Sequence, residues 1–554
     1  MSNSTMIPKW EVFEQTFYLD KSFDNPFIDV DLKVVLKNDG QVYTIDGFYD
    51  GEDSGRQVWR FRFAPMYEGA WQFKTVSSEE GLSGITGSFE CGAPVSRGPL
   101  TVNPQYPNWF FRADGKAQWV NNDGWVPHPL FGETLPHESL EFGNPSEDEW
   151  RVYLDVLAKY DVNMLIEVDQ LYARQSNITD VSFNWPWEVV DPENNKIDKD
   201  RFNLKFYQRL DRTLEYAKDR GIFYGIELLF DNSVYRPREW SAHPWNIKNG
   251  GWLKTNGAGT AWGEAFDLNN KEHVMYVERY LAYTVARTSA YWNVYWALGA
   301  ECGNIGRTMW DLFAKWYGHW ADYVSLHDQH GRLQSIGDTG EAPELIRHSK
   351  NHIVMTQEHS SMDHEPQFCD ALNEFGERFW KYGRPMFIGE QDRYNVGKYD
   401  SERKGYWTAF VSGYYMGRVD RHFAAAKGDR FFESELLNLD GDPPIYHDLK
   451  RMAEFANTSG VRYWRMAPHD DLLHNYERGV FCLAEPNVEY VIYFTRDGNC
   501  DIELPARQSF KIQWFNPRDG QFSKSEEVTG GGKQTFSTPG KDDWVLHIVS
   551  ADLV

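Results

Sequence analysis

Cysteine is scarce: Cys91, Cys302, Cys369, Cys482 and Cys500 are the five in a chain of 554 residues. The number is odd, the spacing is wide and no CxxC pair occurs, so neither a disulfide framework nor a zinc knuckle is indicated. Positive charge is short as well. Lys and Arg number 57 against 82 Asp and Glu, a formal charge of −25, which argues against nucleic acid or an anionic membrane surface as partner. That figure describes the far field and leaves room for a local basic pocket. Long apolar runs are missing too: no stretch of about 20 apolar residues could span a bilayer, and MSNSTMIPKW lacks the charged start and apolar core of a secretion signal. As it stands the sequence reads as soluble and cytoplasmic, or as periplasmic or secreted if a leader has been removed.

What is abundant is aromatic surface. Phe, Trp and Tyr make up 16% of the chain, with 23 Trp and 30 Tyr. A flat apolar face with a polar edge suits a sugar ring, although barrel and sandwich cores also consume aromatics. With 41% hydrophobic and 25% charged residues, the chain can bury a core throughout. Its length calls for two or three domains.

From about Trp10 to Phe89, short alternating segments (Asp29 to Leu36, Gln41 to Phe48, Val58 to Phe63, Gly69 to Val76) are separated by turns such as Asn38-Asp39-Gly40. They predict an antiparallel β-sandwich, followed by a linker over Gly92 to Pro107. From Phe110 to Asn457, short apolar runs alternate with amphipathic stretches, the mark of βα units. Eight strands are expected near Gln118 to Asn121, Asn163 to Val168, Phe223 to Leu229, Val294 to Leu298, Leu333 to Ile336, Ile353 to Thr356, Pro385 to Ile388 and Tyr415 to Val419. The clearest helices are Asp148 to Tyr160, Leu204 to Arg220, Lys271 to Ala290, Met309 to His330 and Gln367 to Tyr382. Past Thr458, short strands and turns return, and no internal repeat is evident. The fold class is therefore α/β: a (β/α)8 TIM barrel (99–457) flanked by N-terminal (1–98) and C-terminal (458–554) β-sandwich domains.

In such a barrel the reactive groups sit at the C-terminal ends of the strands. The fourth predicted strand, Asn293-Val-Tyr-Trp-Ala-Leu-Gly-Ala-Glu301, and the seventh, Arg384-Pro-Met-Phe-Ile-Gly-Glu390, each run out into a glutamate. Strands four and seven face each other across a barrel. Retaining glycoside hydrolysis needs an acid that protonates the leaving oxygen and a carboxylate, about 5 to 5.5 Å away, that attacks the anomeric carbon. The pair predicts Glu301 as general acid/base and Glu390 as nucleophile, their pKa values pushed apart.

This sequence resembles the clan A retaining glycoside hydrolases, whose fourth and seventh strands end in an acid/base and a nucleophile glutamate. Trp10-Glu-Val-Phe-Glu, Phe48-Tyr-Asp-Gly, Trp59-Arg-Phe-Arg-Phe-Ala-Pro and Glu68-Gly-Ala-Trp71 look like a family of sandwich domains of unassigned role that precede such barrels. The barrel is similar to the apiosidase-like group. Tyr490-Val-Ile-Tyr-Phe through Trp514-Phe-Asn-Pro-Arg-Asp-Gly520 looks like a small sandwich often labelled collagen-binding, a label nothing in these residues requires. Two departures stand out. Ala300 occupies the place where many clan A enzymes carry an Asn that contacts the sugar 2-hydroxyl, and Glu301 stands where apiosidase-like barrels can carry Asp, so apiosidase activity is not inferred.

Other polar and aromatic groups near strand ends are expected to line a sugar site through hydrogen bonds or stacking: Asp123, Trp125 and His128 after the first strand, Asp169 after the second, Asp231 after the third, Asp338 after the fifth, and Gln357, Glu358 and His359 after the sixth. A long insertion from Tyr235 to Phe266 carries Trp240, Trp245, Trp252 and Trp262, and Trp185-Pro-Trp187 follows the second strand. Both segments read either as walls for substrate, with Trp262 the chosen contact, or as packing that holds the loop down. The expected partner is an oligo- or polysaccharide of plant or algal origin, with no cofactor and no metal. A homo-oligomer is left open, since flanking sandwiches suit either dimerisation or blocking one end of a cleft. The alternatives are a catalytically dead barrel that binds carbohydrate, and a metal hydrolase using His128, His359 and His422, disfavoured because no HxH or HExxH spacing occurs.

Overall fold

The computed structural model describes residues 5–123, 147–169, 185–194, 196–229, 234, 240–241, 243–254, 264–299, 310–337, 342–356, 367–388, 399–418 and 444–553, with backbone alone at 123, 149, 166–169, 399, 418 and 444. At its centre eight parallel strands close into a barrel in chain order: β1 (Asn121–Asp123), β2 (Val162–Asp169), β3 (Phe223–Glu227), β4 (Val294–Ala297), β5 (Gln334–Ile336), β6 (Ile353–Thr356), β7 (Met386–Ile388) and β8 (Tyr415–Arg418). Each is followed by a helix: α1 (Glu147–Lys159), α2 (Leu204–Asp219), α3 (Lys271–Thr288), α4 (Trp310–His327), the single turn α5 (Pro343–Ile346), α6 (Gln367–Trp380), α7 (Tyr399–Val411) and α8 (Pro444–Thr458). Strands covered on both faces read as continuous apolar runs rather than alternation. Every residue of β3 and β4 is accordingly buried.

The starts of α2 and α3 fall where the sequence places them because a cap fixes each. Asn203 Oδ1 accepts from Phe206 N, and Asn270 Oδ1 accepts from His273 N, satisfying donors the helix leaves free. β1 lies further along than the expected Gln118 to Asn121. Between β2 and α2 an antiparallel pair, Trp187–Asp191 with Lys196–Phe202, was not anticipated.

The N-terminal region is a sandwich of a five-stranded and a three-stranded sheet around Val34, Leu36, Phe61, Phe63, Trp71 and Phe89. The expected first strand starts late, at Leu32, because Asn25 caps a turn of helix at Pro26–Asp29. The C-terminal region stacks a larger sheet on a three-stranded one, with Cys482, Ile492, Phe494 and Leu546 between them.

Gly92 to Pro107 is not a plain linker. Leu100–Val102 pairs antiparallel with Phe110–Arg112, and this hairpin closes the N-terminal end of the barrel. Phe110 packs 5.2 Å from Tyr415, the first residue of β8, and its N donates to Tyr415 Oη at 3.2 Å. The Arg112 guanidinium lies 4.8 Å above Phe223, at the start of β3, and 4.6 Å above Trp292. Burial there pushes its pKa down to about 9.

Buried charges fasten the C-terminal sheet to α7. Asp543, wholly buried, accepts from Arg403 Nε at 3.1 Å and Nη2 at 3.0 Å, from Arg518 Nη1 at 3.0 Å and from Tyr493 Oη at 3.2 Å. Trp407 of α7 packs on Phe515 at 5.5 Å beside them. Asp543→Asn turns one acceptor into a donor facing arginines and is expected to cost about 1–3 kcal/mol in urea unfolding. An unchanged midpoint would remove the pair from the interface's energetics. Among the described residues no helix is long and apolar enough to cross a membrane.

Candidate active site

Phe110 packs at the N-terminal end of the barrel, and the last residues of the strands lie at the opposite, C-terminal end. The ladder there runs past the strand ends: Leu228 N donates to Ala297 O at 2.8 Å, Leu298 N to Ser335 O at 2.9 Å and Gly337 N to Gly299 O at 2.6 Å. The backbone beyond β4 is thereby held in register as far as Gly299, two positions short of Glu301 in the chain.

Side-chain direction follows from Tyr295 and Trp296. Trp296 Nε1 donates to Asp328 Oδ2 at 2.9 Å, behind the end of α4, so Trp296 points outward and Tyr295, its neighbour in the strand, points into the barrel. The Tyr295 ring crosses β3 and donates its hydroxyl to Leu165 O of β2 at 3.0 Å. It passes over Gly225, where an added Cβ would lie 2.3 Å from the hydroxyl. Gly225 therefore faces the interior, as does Glu227 two residues on. Glu227, only 1% exposed, is a buried carboxylate at the C-terminal end of β3. Sequence reasoning passed over it. The available signal was a lone acid in the apolar run Phe-Tyr-Gly-Ile-Glu-Leu-Leu-Phe.

Asn122 of β1 is a second interior group. Asn121 turns outward, its Nδ2 donating to Leu449 O of α8 at 2.8 Å, and Asn122 consequently turns inward. It is fully buried, and neither end of its amide meets a hydrogen-bond partner among the described residues. Leaving such groups unmet costs about 1–3 kcal/mol each, so this amide is a place for an internal water or a ligand hydroxyl.

Of the residues expected to form the site, Asp123 is the last of β1 and Asp169 the last of β2, both described by their backbone. Glu301, Glu390, Trp125, His128, Asp231, Trp262, Asp338, Gln357, Glu358 and His359 lie outside the described residues, as does His422. In the chain Glu301 follows the last residue of β4 by four positions and Glu390 follows that of β7 by two. Among the described residues no three His, Cys, Asp or Glu side chains gather as metal ligands would.

Three of the four tryptophans of the long insertion, the described ones, prove to be packing. Trp240, Trp245 and Trp252 are all buried, as are Trp185 and Trp187. Trp252 stacks on Tyr276 at 4.6 Å and meets Trp187 at 5.7 Å and Trp245 at 5.8 Å. Its Nε1 donates to His273 Nδ1 at 2.9 Å, leaving His273 Nε2 to donate to Ala265 O. These rings hold the loop against α3.

The buried histidines set an acid limit. Burial pushes His243 down to about 3 and His273 and His352 to about 4, and holds His330 well below its usual value. Each stays neutral when folded and would bind a proton near pH 6.5 once unfolded, so their stabilisation is whole above that pH and lost as pH falls through the folded values. Asp448 and Asp470, raised by burial to about 6, act oppositely, their share being lost as pH rises through 6. Asp161, Asp328 and Asp370 are raised as well, but Asp31, Asp114, Glu147, Asp211 and Glu485, held low by their partners, lose stability as pH falls and add to the histidines. The thermal midpoint should thus fall steadily from pH 6.5 to pH 4 in scanning calorimetry; a midpoint level over that window would contradict the neutral, buried histidines.

Comparison with known proteins follows this division of the chain. Residues 6–78 match a family described as a domain of unknown function, DUF5060, and residues 472–549 match one described as "Putative collagen-binding domain of a collagenase". No curated protein matches the sequence significantly. Among solved structures, one described as a "putative glycoside hydrolase" from Bacteroides vulgatus aligns over 99% of this chain and all of its own, with TM-score 0.69 and 16% identity. A family 5 glycoside hydrolase from the same organism aligns over 83% of this chain and 95% of its own, with TM-score 0.55 and 15% identity. A further glycoside hydrolase covers 83% and 98% respectively, with TM-score 0.54 and 15% identity. At such identities the likeness is one of fold, spanning nearly the whole chain for the first of these structures and 83% of it for the other two.

Proposed function

We propose that the chain is a retaining glycoside hydrolase that cleaves an O-glycosidic bond in a plant or algal oligo- or polysaccharide. The proposed catalytic barrel spans 99–457, with sandwiches at 1–98 and 458–554. The observation that carries the reading is the closed barrel itself, in which β4 and β7 take the fourth and seventh places and run toward Glu301 and Glu390. Two glutamates delivered from nearly opposite strands can address one bond from two sides. The resemblance to clan A enzymes assigns the same pair, and the names of the folds this chain resembles point the same way.

In the first step Glu301 gives its proton to the leaving oxygen while Glu390 attacks the anomeric carbon. In the second, Glu301, now a base, takes a proton from the water that releases the sugar from Glu390. The interior groups Asn122 and Glu227 are proposed to orient sugar hydroxyls or the water around them. They offer one answer to Ala300, which cannot provide the amide found there in many clan A enzymes.

A screen of aryl glycosides and of plant and algal oligosaccharides tests this reading. Release of sugar by the wild type, absent in the Glu301→Ala, Glu390→Ala double variant, is the expected result. Binding of a polysaccharide with no cleavage of any substrate would instead favour a carbohydrate-binding protein on a barrel scaffold.

A further inference from the structure

On the flank of the molecule, the N-terminal sandwich and helices α2 and α3 leave a cavity of about 480 Å³ between them. Arg287 and Tyr291 on its wall come just before β4, at the end of the barrel opposite the C-terminal face. Its volume lies within the range of about 300–1,000 Å³ typical of small-molecule sites.

The lining is charged but balanced. Arg60, Arg62, Arg212 and Arg287 face Glu14, Asp50, Asp211 and Glu215, four of each sign. An anion or a cation gains no net attraction there, which disfavours phosphates and polyamines. Most of these charges are already paired, Arg287 with Asp211 and Asp50 at 2.7 Å each, and Arg62 with Asp211 at 2.8 Å and Glu14 at 2.7 Å. What remains uncommitted is neutral or rim-exposed. Among the described residues the Tyr291 hydroxyl, the Gln208 side-chain oxygen and the Glu215 carboxylate make no hydrogen bond, although each lines the cavity. A wall of fixed donors and acceptors with no net charge suits hydroxyl groups, each of which both donates and accepts.

We propose that this cavity is an ancillary saccharide site, taking one or two rings of a neutral glycan where the N-terminal sandwich meets the barrel. The glycan class rests on the glycosidase reading; the site does not depend on cleavage. Sugar hydroxyls would meet Tyr291, Gln208 and Glu215, and the ion pairs beside them tie the two walls together.

The test is hydrogen exchange by mass spectrometry on Glu390→Ala, with cellotriose, mannotriose, xylotriose and neoagarotetraose as probes. At least one should slow exchange in both 48–62 and 204–219. That protection should weaken about tenfold in apparent affinity when Tyr291→Phe and Glu215→Gln are added, changes that keep the Arg62 guanidinium 5.5 Å from the ring and alter no buried ion pair. No protection of these segments by any probe, or protection untouched by the two substitutions, would overturn the proposal. Hydrolysis by the wild type without seam protection would sink the seam site alone. Seam protection in a protein that cleaves nothing would sink only the catalytic reading.

Discussion

Glu390→Ala is expected to lower the rate of sugar release by about a thousandfold or more, because no group remains to form the covalent intermediate and a positioned acid alone contributes about 10²- to 10⁴-fold. Glu301→Ala should behave differently. Substrates with a good leaving group need little protonation, so the glycosyl-enzyme should still form on Glu390 and accumulate for want of a base. Azide, needing no base, should then restore part of the turnover and give a glycosyl azide. Azide acceleration in Glu390→Ala and not in Glu301→Ala would exchange the two roles.

Arg287→Met is expected to destabilise the protein by about 3–5 kcal/mol, the cost of leaving buried charge uncompensated. Arg287 is fully buried and reaches Asp211 of α2 and Asp50 of the N-terminal sheet together. Burial works to raise the Asp211 pKa, and Arg287 and Arg62 overcome that and hold it below the usual carboxylate range. Without Arg287, one cation faces Asp211, and Asp50 keeps one cation, Arg60 at 2.8 Å, beside the Gln208 amide at 3.3 Å. The loss should appear in urea titrations as an earlier melting of the seam between the N-terminal sheet and α2. A midpoint within error of the wild type would show that the network only balances its own desolvation.

The barrel was legible because its strands are buried on both sides. Ile353–Thr356 was placed to the residue, and β2 to β8 within two residues at each end. β1 was displaced because Asn121, Asn122 and Asp123 carry no apolar signal, while Trp119 and Val120 just before them do. Helix α7 escaped notice because the C-terminal sheet covers Trp407 and the barrel covers its other side, which erases the polar face that reveals a helix. The hairpin at Leu100–Val102 is made by tertiary pairing with Phe110–Arg112, which no local pattern announces. Composition could not say whether the tryptophans of the insertion would stack on sugar or on one another, and three of them stack within the protein. Glu227 and Asn122 were missed for the same physical reason: in a sequence, a polar residue inside an apolar run looks like an interruption, and only the closed barrel shows which way it points.

The most direct test of the central claim follows the anomeric proton of the first-formed sugar by NMR during hydrolysis by the wild type, with Glu390→Ala alongside. The account predicts a product with the anomeric configuration of the substrate, formed by the wild type and lost in the variant. A first product of inverted configuration, or wild-type hydrolysis by Glu390→Ala, would contradict it.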